Sequence, residues 1–170
     1  PAGDPEKPSY DSVFSLCEDR QGRLWVGTSD QGIRVLAPDR RGGRLYHNDP
    51  LAPRSLASNI VYSLYESRNG TMWAGTAGGL HRYDPGRDDF SVFTTADGLP
   101  NDNVVGILED SRGRLWLSTL RGICRFDPAG RSFRNYDTRD GLSGNDCFQN
   151  SVHHGRSGRC YVGSTGGLTI

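Results

Sequence analysis

One short phrase recurs along this chain and limits its fold more than any other feature. It reads Gly22-Arg-Leu-Trp-Val-Gly-Thr28, then Gly70-Thr-Met-Trp-Ala-Gly-Thr76, then Gly113-Arg-Leu-Trp-Leu-Ser-Thr119. A fourth copy, Gly158-Arg-Cys-Tyr-Val-Gly-Ser164, puts Tyr161 where the others have tryptophan. Successive aromatic positions stand 48, 43 and 45 residues apart, a period shared by propeller blades and helical solenoid repeats.

The residues between the copies favour strands. Val13-Phe-Ser-Leu16, Val61-Tyr-Ser-Leu64 and Val104-Val-Gly-Ile107 each precede an acidic turn and then the tryptophan. A Gly-apolar step follows (Gly32-Ile33, Gly79-Leu80, Gly122-Ile123, Gly167-Leu168), and two of these runs end in Tyr83-Asp-Pro85 and Phe126-Asp-Pro128. Proline cannot donate to a strand ladder, so it marks a strand end. A further run holds Leu45-Tyr46, Phe90-Ser-Val-Phe93 or Phe133-Arg-Asn-Tyr136. Short β-branched and aromatic runs between Gly, Asp and Asn are strand signals, and no segment sustains a 3.6-residue period. Four strands per repeat describe a propeller blade.

Composition agrees. The chain has 23 glycines and 9 prolines in 170 residues and only 34% hydrophobic side chains, which suits many short strands and turns. Twenty basic residues balance twenty acidic ones, against the basic stripe of a nucleic-acid binder. No apolar run exceeds about three residues, so neither a membrane span nor a signal-peptide core is expected. Cys17, Cys124, Cys147 and Cys160 show no metal-finger spacing; they suit either two disulfides or small buried apolar roles.

The pattern Asp-x-x-Gly-x-Leu-Trp-x-Gly-Thr, then Gly-Leu-x-Arg-Tyr-Asp-Pro, Phe-x-x-Tyr and Gly-Leu-x-x-Asn, resembles the two-component regulator propeller repeat, from about Tyr10 to Ile170. The expected fold is all-β: a β-propeller fragment of about three and three-quarter four-stranded blades spanning residues 1–170. The blades fall roughly at 10–48, 58–95, 101–137 and 145–170, the last lacking its outer strand. The resemblance implies the extracytoplasmic sensor region of a bacterial two-component-type receptor, on the periplasmic side of the inner membrane. A histidine kinase, hybrid kinase or diguanylate cyclase output would lie outside this chain. Propellers close with 4 to 8 blades, so the expected partners are the rest of the propeller or a second copy of the fragment.

Whatever recurs in every copy of a repeat is first of all scaffold. Trp25, Trp73 and Trp116 therefore read as interblade packing groups, and Glu18, Glu66 and Glu109 as turn acceptors. Asp11, Asn59 and Asp102, each fourteen residues before a tryptophan, suit the turn entering a strand. Function should lie where the copies differ, in the loops between second and third strands and between one blade and the next. Asp30, Gln31, Arg54, Asn101, Arg121 and Asn145 form the expected polar rim. Arg121 stands out against Gln31, Gly78 and Gly166, since a guanidinium can grip a carboxylate, a sulfate or a sugar hydroxyl. His153 and His154 are adjacent and point to opposite faces of a strand. No metal, cofactor or catalytic residue is expected, nor a nucleophile elbow or phosphate loop. The expected function is recognition of an extracellular small molecule or oligosaccharide. A propeller glycosidase or lyase and a protein-interaction scaffold are the alternatives.

Overall fold

The structure, a computed structural model, describes residues 12–156 and 158–170. Among the described residues, fifteen strands and one short 3-10 turn (Thr138–Asp140) account for the regular structure. The first blade holds β1 (Val13–Glu18), β2 (Leu24–Thr28), β3 (Ile33–Leu36) and β4 (Gly43–Tyr46). The second holds β5 (Val61–Glu66), β6 (Met72–Thr76), β7 (Gly79–Asp84) and β8 (Asp89–Phe93). The third holds β9 (Val104–Glu109), β10 (Leu115–Thr119), β11 (Gly122–Asp127) and β12 (Ser132–Tyr136). The fourth is the three-stranded sheet β13 (Cys147–His154), β14 (Cys160–Ser164) and β15 (Gly167–Thr169). Each sheet is a simple antiparallel meander in chain order. The innermost strands β1, β5, β9 and β13 neighbour one another in succession, so the chain is a β-propeller segment. The start of the first expected blade and Asp11 lie outside the described residues.

Blades one and three are punctuated by the same turn chemistry. In the first, the Asp19 carboxylate accepts the Gln21 and Arg23 amides, the Arg23 guanidinium and the Trp25 indole N–H at 2.8 Å. Asp110 repeats this with Arg112, Arg114 and Trp116. Burial alone would raise both carboxyls, but the donors outweigh it, holding Asp19 below its usual value and Asp110 down at about 2. At the opposite end of the sheet, Gly79 turns the chain with φ +115°, and a Cβ there would stand 2.4 Å from the Phe93 carbonyl oxygen. Only glycine fits that approach.

Two further fittings join one blade to the next. The second strand carries Gly27, Gly75, Gly106's partner Ser118, or Gly163, set against a small residue on the first strand. Ser15 faces Gly27 and Ser63 faces Gly75, whereas blade three inverts the pair as Gly106 and Ser118. The notch admits a valine of the following blade: a Cβ on Gly27 would meet Val61 at 2.8 Å, one on Gly75 Val104 at 3.0 Å, and one on Gly106 Val152 at 2.9 Å. In the second fitting, Glu66 accepts the Arg20 amide at 3.3 Å and Glu109 the Arg68 amide at 2.8 Å. These glutamates are turn acceptors, and the turn they cap belongs to the blade before.

The core lies between blades. Trp25, Met72, Ala74, Tyr83 and Phe90 fill the joint of blades one and two, while Trp73, Leu117, Cys124 and Phe126 fill that of two and three. Trp25 and Trp73 are thus packing groups, each meeting a ring of the following blade edge-on: Trp25 with Tyr83 at 5.0 Å and Trp73 with Phe126 at 5.9 Å. His81 is fully buried here. Its Nε2 accepts the Ala57 amide at 2.9 Å, and burial pulls its pKa down to about 4, so the ring is neutral.

Candidate functional site

The loops entering each blade and the turns between second and third strands emerge at one end of the sheets, joined by main-chain bonds. Gly32 donates to Asn59, Gly79 to Asp102 and Gly122 to Asn145. The side chains of those three acceptors close the same loop in each copy: Asn59 Oδ1 accepts the Asn48 amide, Asp102 Oδ1 that of Thr95, and Asn145 Oδ1 that of Thr138. Asn145 therefore belongs with Asn59 and Asp102. Its role is hidden in the sequence because β13 carries extra residues, which put Asn145 sixteen rather than fourteen positions before the aromatic.

The six rim residues do not form one cluster. Asn101 Oδ1 accepts the Asn103 amide at 2.9 Å in a local turn. Arg54 lies at the periphery, where its guanidinium spans both oxygens of Asp89 on β8 at 2.5 and 3.0 Å. Arg121 and Asp30 are exposed on turns of this face, and the backbones of Gln31 and Arg121 are held by Thr28 and Thr119 hydroxyls. The Arg121 guanidinium has no partner among the described residues.

Residues that were not singled out in the sequence occupy the axis at this same end. Each of β1, β5 and β9 has a one-residue irregularity at its second position, Phe14, Tyr62 or Val105. In β13 the irregularity spans Cys147 to Val152, adding Phe148, Gln149 and Asn150. This insertion reaches across the inner strands: Asn150 Nδ2 donates to the Phe14 carbonyl at 2.9 Å, and Gln149 Nε2 to that of Tyr62 at 3.3 Å. Asn150 has φ +53°, a conformation asparagine tolerates better than most side chains. The Phe14 and Tyr62 rings stack, with centroids 6.2 Å apart and planes within 7°, and the Tyr62 hydroxyl donates to Asn103. Flat aromatic faces ringed by carboxamides form a surface that can bind a ring and read its hydroxyls. The available signal was the lengthened spacing from Asn145 to Tyr161, which marks an insertion but not its direction.

Two other features bear on chemistry. A cleft of about 540 Å³ lies between blades three and four, lined by Trp116, Tyr136, Leu142, His154, Cys160 and Ile170 among others. All four cysteines are free thiols, Cys124 and Cys147 are buried, and burial pushes the Cys124 thiol up to about 12. Among the described residues no three His, Cys, Asp or Glu side chains converge as a metal site, and no helix is long and apolar enough to cross a membrane.

Repeated four-stranded blades with capped loops on one face define a β-propeller module of a repeat family. The two component regulator propeller family matches residues 7–30, 55–78 and 98–121, so these three segments are similar to repeats of that family. It is similar to two extracellular domains of proteins described as hybrid two component systems from B. thetaiotaomicron. One is 30% identical over 96% of this chain with a TM-score of 0.83, the other 25% identical over 90% with a TM-score of 0.76. The chain spans only 22% of the length of each. Virginiamycin B lyase from Staphylococcus aureus shares the fold, at 17% identity over 93% of this chain and 54% of its own, with a TM-score of 0.69. No curated protein matches the chain.

Proposed function

We propose that this chain is a non-catalytic, ligand-sensing propeller segment of a bacterial two-component-type receptor, held on the periplasmic or extracytoplasmic side of the inner membrane. Support comes from the family repeats and from the likeness to extracellular domains of hybrid two component systems. The observation that carries the binding role is the axial cluster of Phe14, Tyr62, Asn103, Gln149 and Asn150 on the face that also presents Arg121, whose guanidinium has no partner among the described residues. Aromatic faces, carboxamides and the Arg121 guanidinium suit an oligosaccharide, above all one bearing a carboxylate or sulfate. The likeness to lyases, at 17% identity, speaks to the fold alone.

The test is a titration of the chain with neutral maltohexaose and with unsaturated chondroitin sulfate disaccharides and hexasaccharides, followed by amide NMR shifts. The expected result is saturable shifts at Tyr62, Asn150 and Arg121 with the acidic sugars, weakened at least tenfold by Arg121→Ala. Shifts confined to other faces, or none with either sugar class, would overturn the reading.

A further inference from the structure

The link from β4 to β5 is the longest of the three that join one blade to the next. It covers residues 47–60, whereas the links from β8 to β9 and from β12 to β13 cover 94–103 and 137–146. Its extra length falls in Asp49-Pro-Leu-Ala-Pro-Arg54, and this segment is tied at both ends. The Ser55 hydroxyl accepts the Asp49 amide at 3.0 Å and donates to the Asp49 carbonyl at 2.9 Å. The Arg54 carbonyl accepts the Phe90 amide of β8 at 3.0 Å, and Leu56 is completely buried. In the joint of blades two and three the shorter link lies directly on the outer strand, where a Cβ on Gly98 would stand 3.0 Å from the Phe133 ring. Phe90 is the counterpart of Phe133 in blade two. There the longer link leaves a pocket of about 400 Å³ between itself, β4 and β8. Every lining residue lies within the internal stretch from Arg44 to Phe90, and small-molecule sites occupy about 300–1,000 Å³.

Floor and rim of this pocket differ in chemistry. Phe90 and Leu56 are buried in its lining, Tyr46 is half-buried, and Ala52 and Pro53 are exposed. Most of the polar capacity around them is used internally. The Asp88 carboxylate accepts the Tyr46 and Tyr83 hydroxyls and the Arg44 guanidinium, and Arg54 takes both oxygens of Asp89. What remains is of two kinds. His47 Nδ1 lies 2.9 Å from the Asn48 carbonyl; a carbonyl only accepts, so Nδ1 donates and Nε2 of the neutral ring is an acceptor. Asp49 Oδ1 accepts the Leu51 amide at 2.9 Å, while its Oδ2 has no partner among the described residues, and neither has Arg54 Nη1. The rim therefore offers a carboxylate oxygen and an imidazole nitrogen to a cation, and a guanidinium edge to a carboxylate. Asp49, Asp88 and Asp89 against Arg44 and Arg54 leave the lining no excess of positive charge to hold a net anion.

We propose that the pocket between blades one and two binds a small zwitterion with an apolar side chain, the class of a free α-amino acid such as leucine or phenylalanine. Its carboxylate would meet Arg54, its ammonium Asp49 and His47, and its side chain the apolar floor of Phe90, Leu56 and Tyr46. Both charges of the ligand find a complement, and its net charge of zero suits the lining. The site is separate from the axial cluster and does not rest on the role proposed for that cluster.

Titration of the isotope-labelled full chain with leucine and with phenylalanine, followed by amide NMR shifts, reads the outcome. The expected result is saturable shifts at His47, Ala52, Arg54 and Phe90. N-acetyl-leucine, which lacks the ammonium, and leucinamide, which lacks the carboxylate, should each bind about tenfold more weakly, as the loss of one charge-assisted contact implies. Ala52→Trp sets a large side chain at an exposed position of the lining. It should abolish the shifts without lowering the melting temperature. No saturable shift at these residues with either amino acid would overturn the proposal. So would acetyl-leucine or leucinamide binding as well as leucine, undiminished binding in Ala52→Trp, or a stronger response to the neutral sugar maltose than to leucine.

Discussion

The joint between blades two and three and the joint between blades three and four begin from the same parts and end differently. In the first, Trp73 is 2% exposed and meets Phe93 and Phe126, which stack onward to Phe133. In the second, Trp116 is only half-buried, packs on Ile123, Cys147 and Val162, and among the described residues has one aromatic ring partner, Tyr136 of its own blade, at 5.6 Å. The following blade offers Val162, Cys160 and Ile170 in place of a second aromatic pair, and the 540 Å³ cleft occupies the space between. The polar fitting is also missing there, because Ser111 and His154 stand at the positions of Arg68 and Glu109. A tryptophan in the repeat marks where a joint is built; the residues that fill it come from the next blade.

The largest predicted effect follows from that contrast. Trp73→Ala should cost about 3–5 kcal/mol of unfolding free energy, in the range for a large buried aromatic. Trp116→Ala should cost less than half as much, since its ring already touches the open cleft. Urea unfolding of both variants reads this directly, and equal losses would break the distinction between a filled and an open joint.

A smaller effect separates the joints by pH. His81 is buried and neutral between blades one and two with its pKa lowered to about 4, against an ordinary value of 6.5. The unfolded chain binds the proton first, so this site favours folding above about pH 6.5 and loses that contribution as pH falls towards 4. Melting temperatures across this window should fall in the native protein and fall less in His81→Gln. An identical slope in the two would place the acid sensitivity elsewhere. Asp110 acts lower on the scale: held at about 2, it contributes above an ordinary carboxyl value near 4 and loses that contribution as pH falls through 2.

The smallest effect tests the notches. Gly106→Ser alone should destabilise by about 1–3 kcal/mol through crowding against Ser118 and Val152. Adding Ser118→Gly should recover most of the loss, because that double variant has the Ser–Gly order of blades one and two. Failure of the second change to rescue the first would show that the inverted pair of blade three is fixed by something other than volume.

How far the sequence could be read depended on whether a residue acts within its own copy. The turns were legible, since Asp110, Arg114 and Trp116 lie within seven residues of one another and their hydrogen bonds close locally. The structural character of the recurring tryptophans and glutamates was legible because they recur in successive copies. That Glu109 caps the turn of the preceding blade was not, because its partner amide at Arg68 is 41 residues away. Arg54 looked like part of a rim. Asp89, 35 residues on, draws it to the periphery instead, and a spacing argument has no access to that ion pair.

By itself the sequence determined the number of strands, the meander order, the turn before each tryptophan and the interblade role of the tryptophans. These follow from short-range rules: alternation along a strand, glycine where φ is positive, and side-chain acceptors for turn amides. The tertiary structure alone decided which face each blade offers its neighbour, that β13 sends Gln149 and Asn150 across to the inner strands of blades one and two, and that the joint at Trp116 stays open. Those outcomes depend on contacts between residues tens of positions apart, where the energy lies in burial and in the pairing of main-chain groups, and no local pattern carries that information.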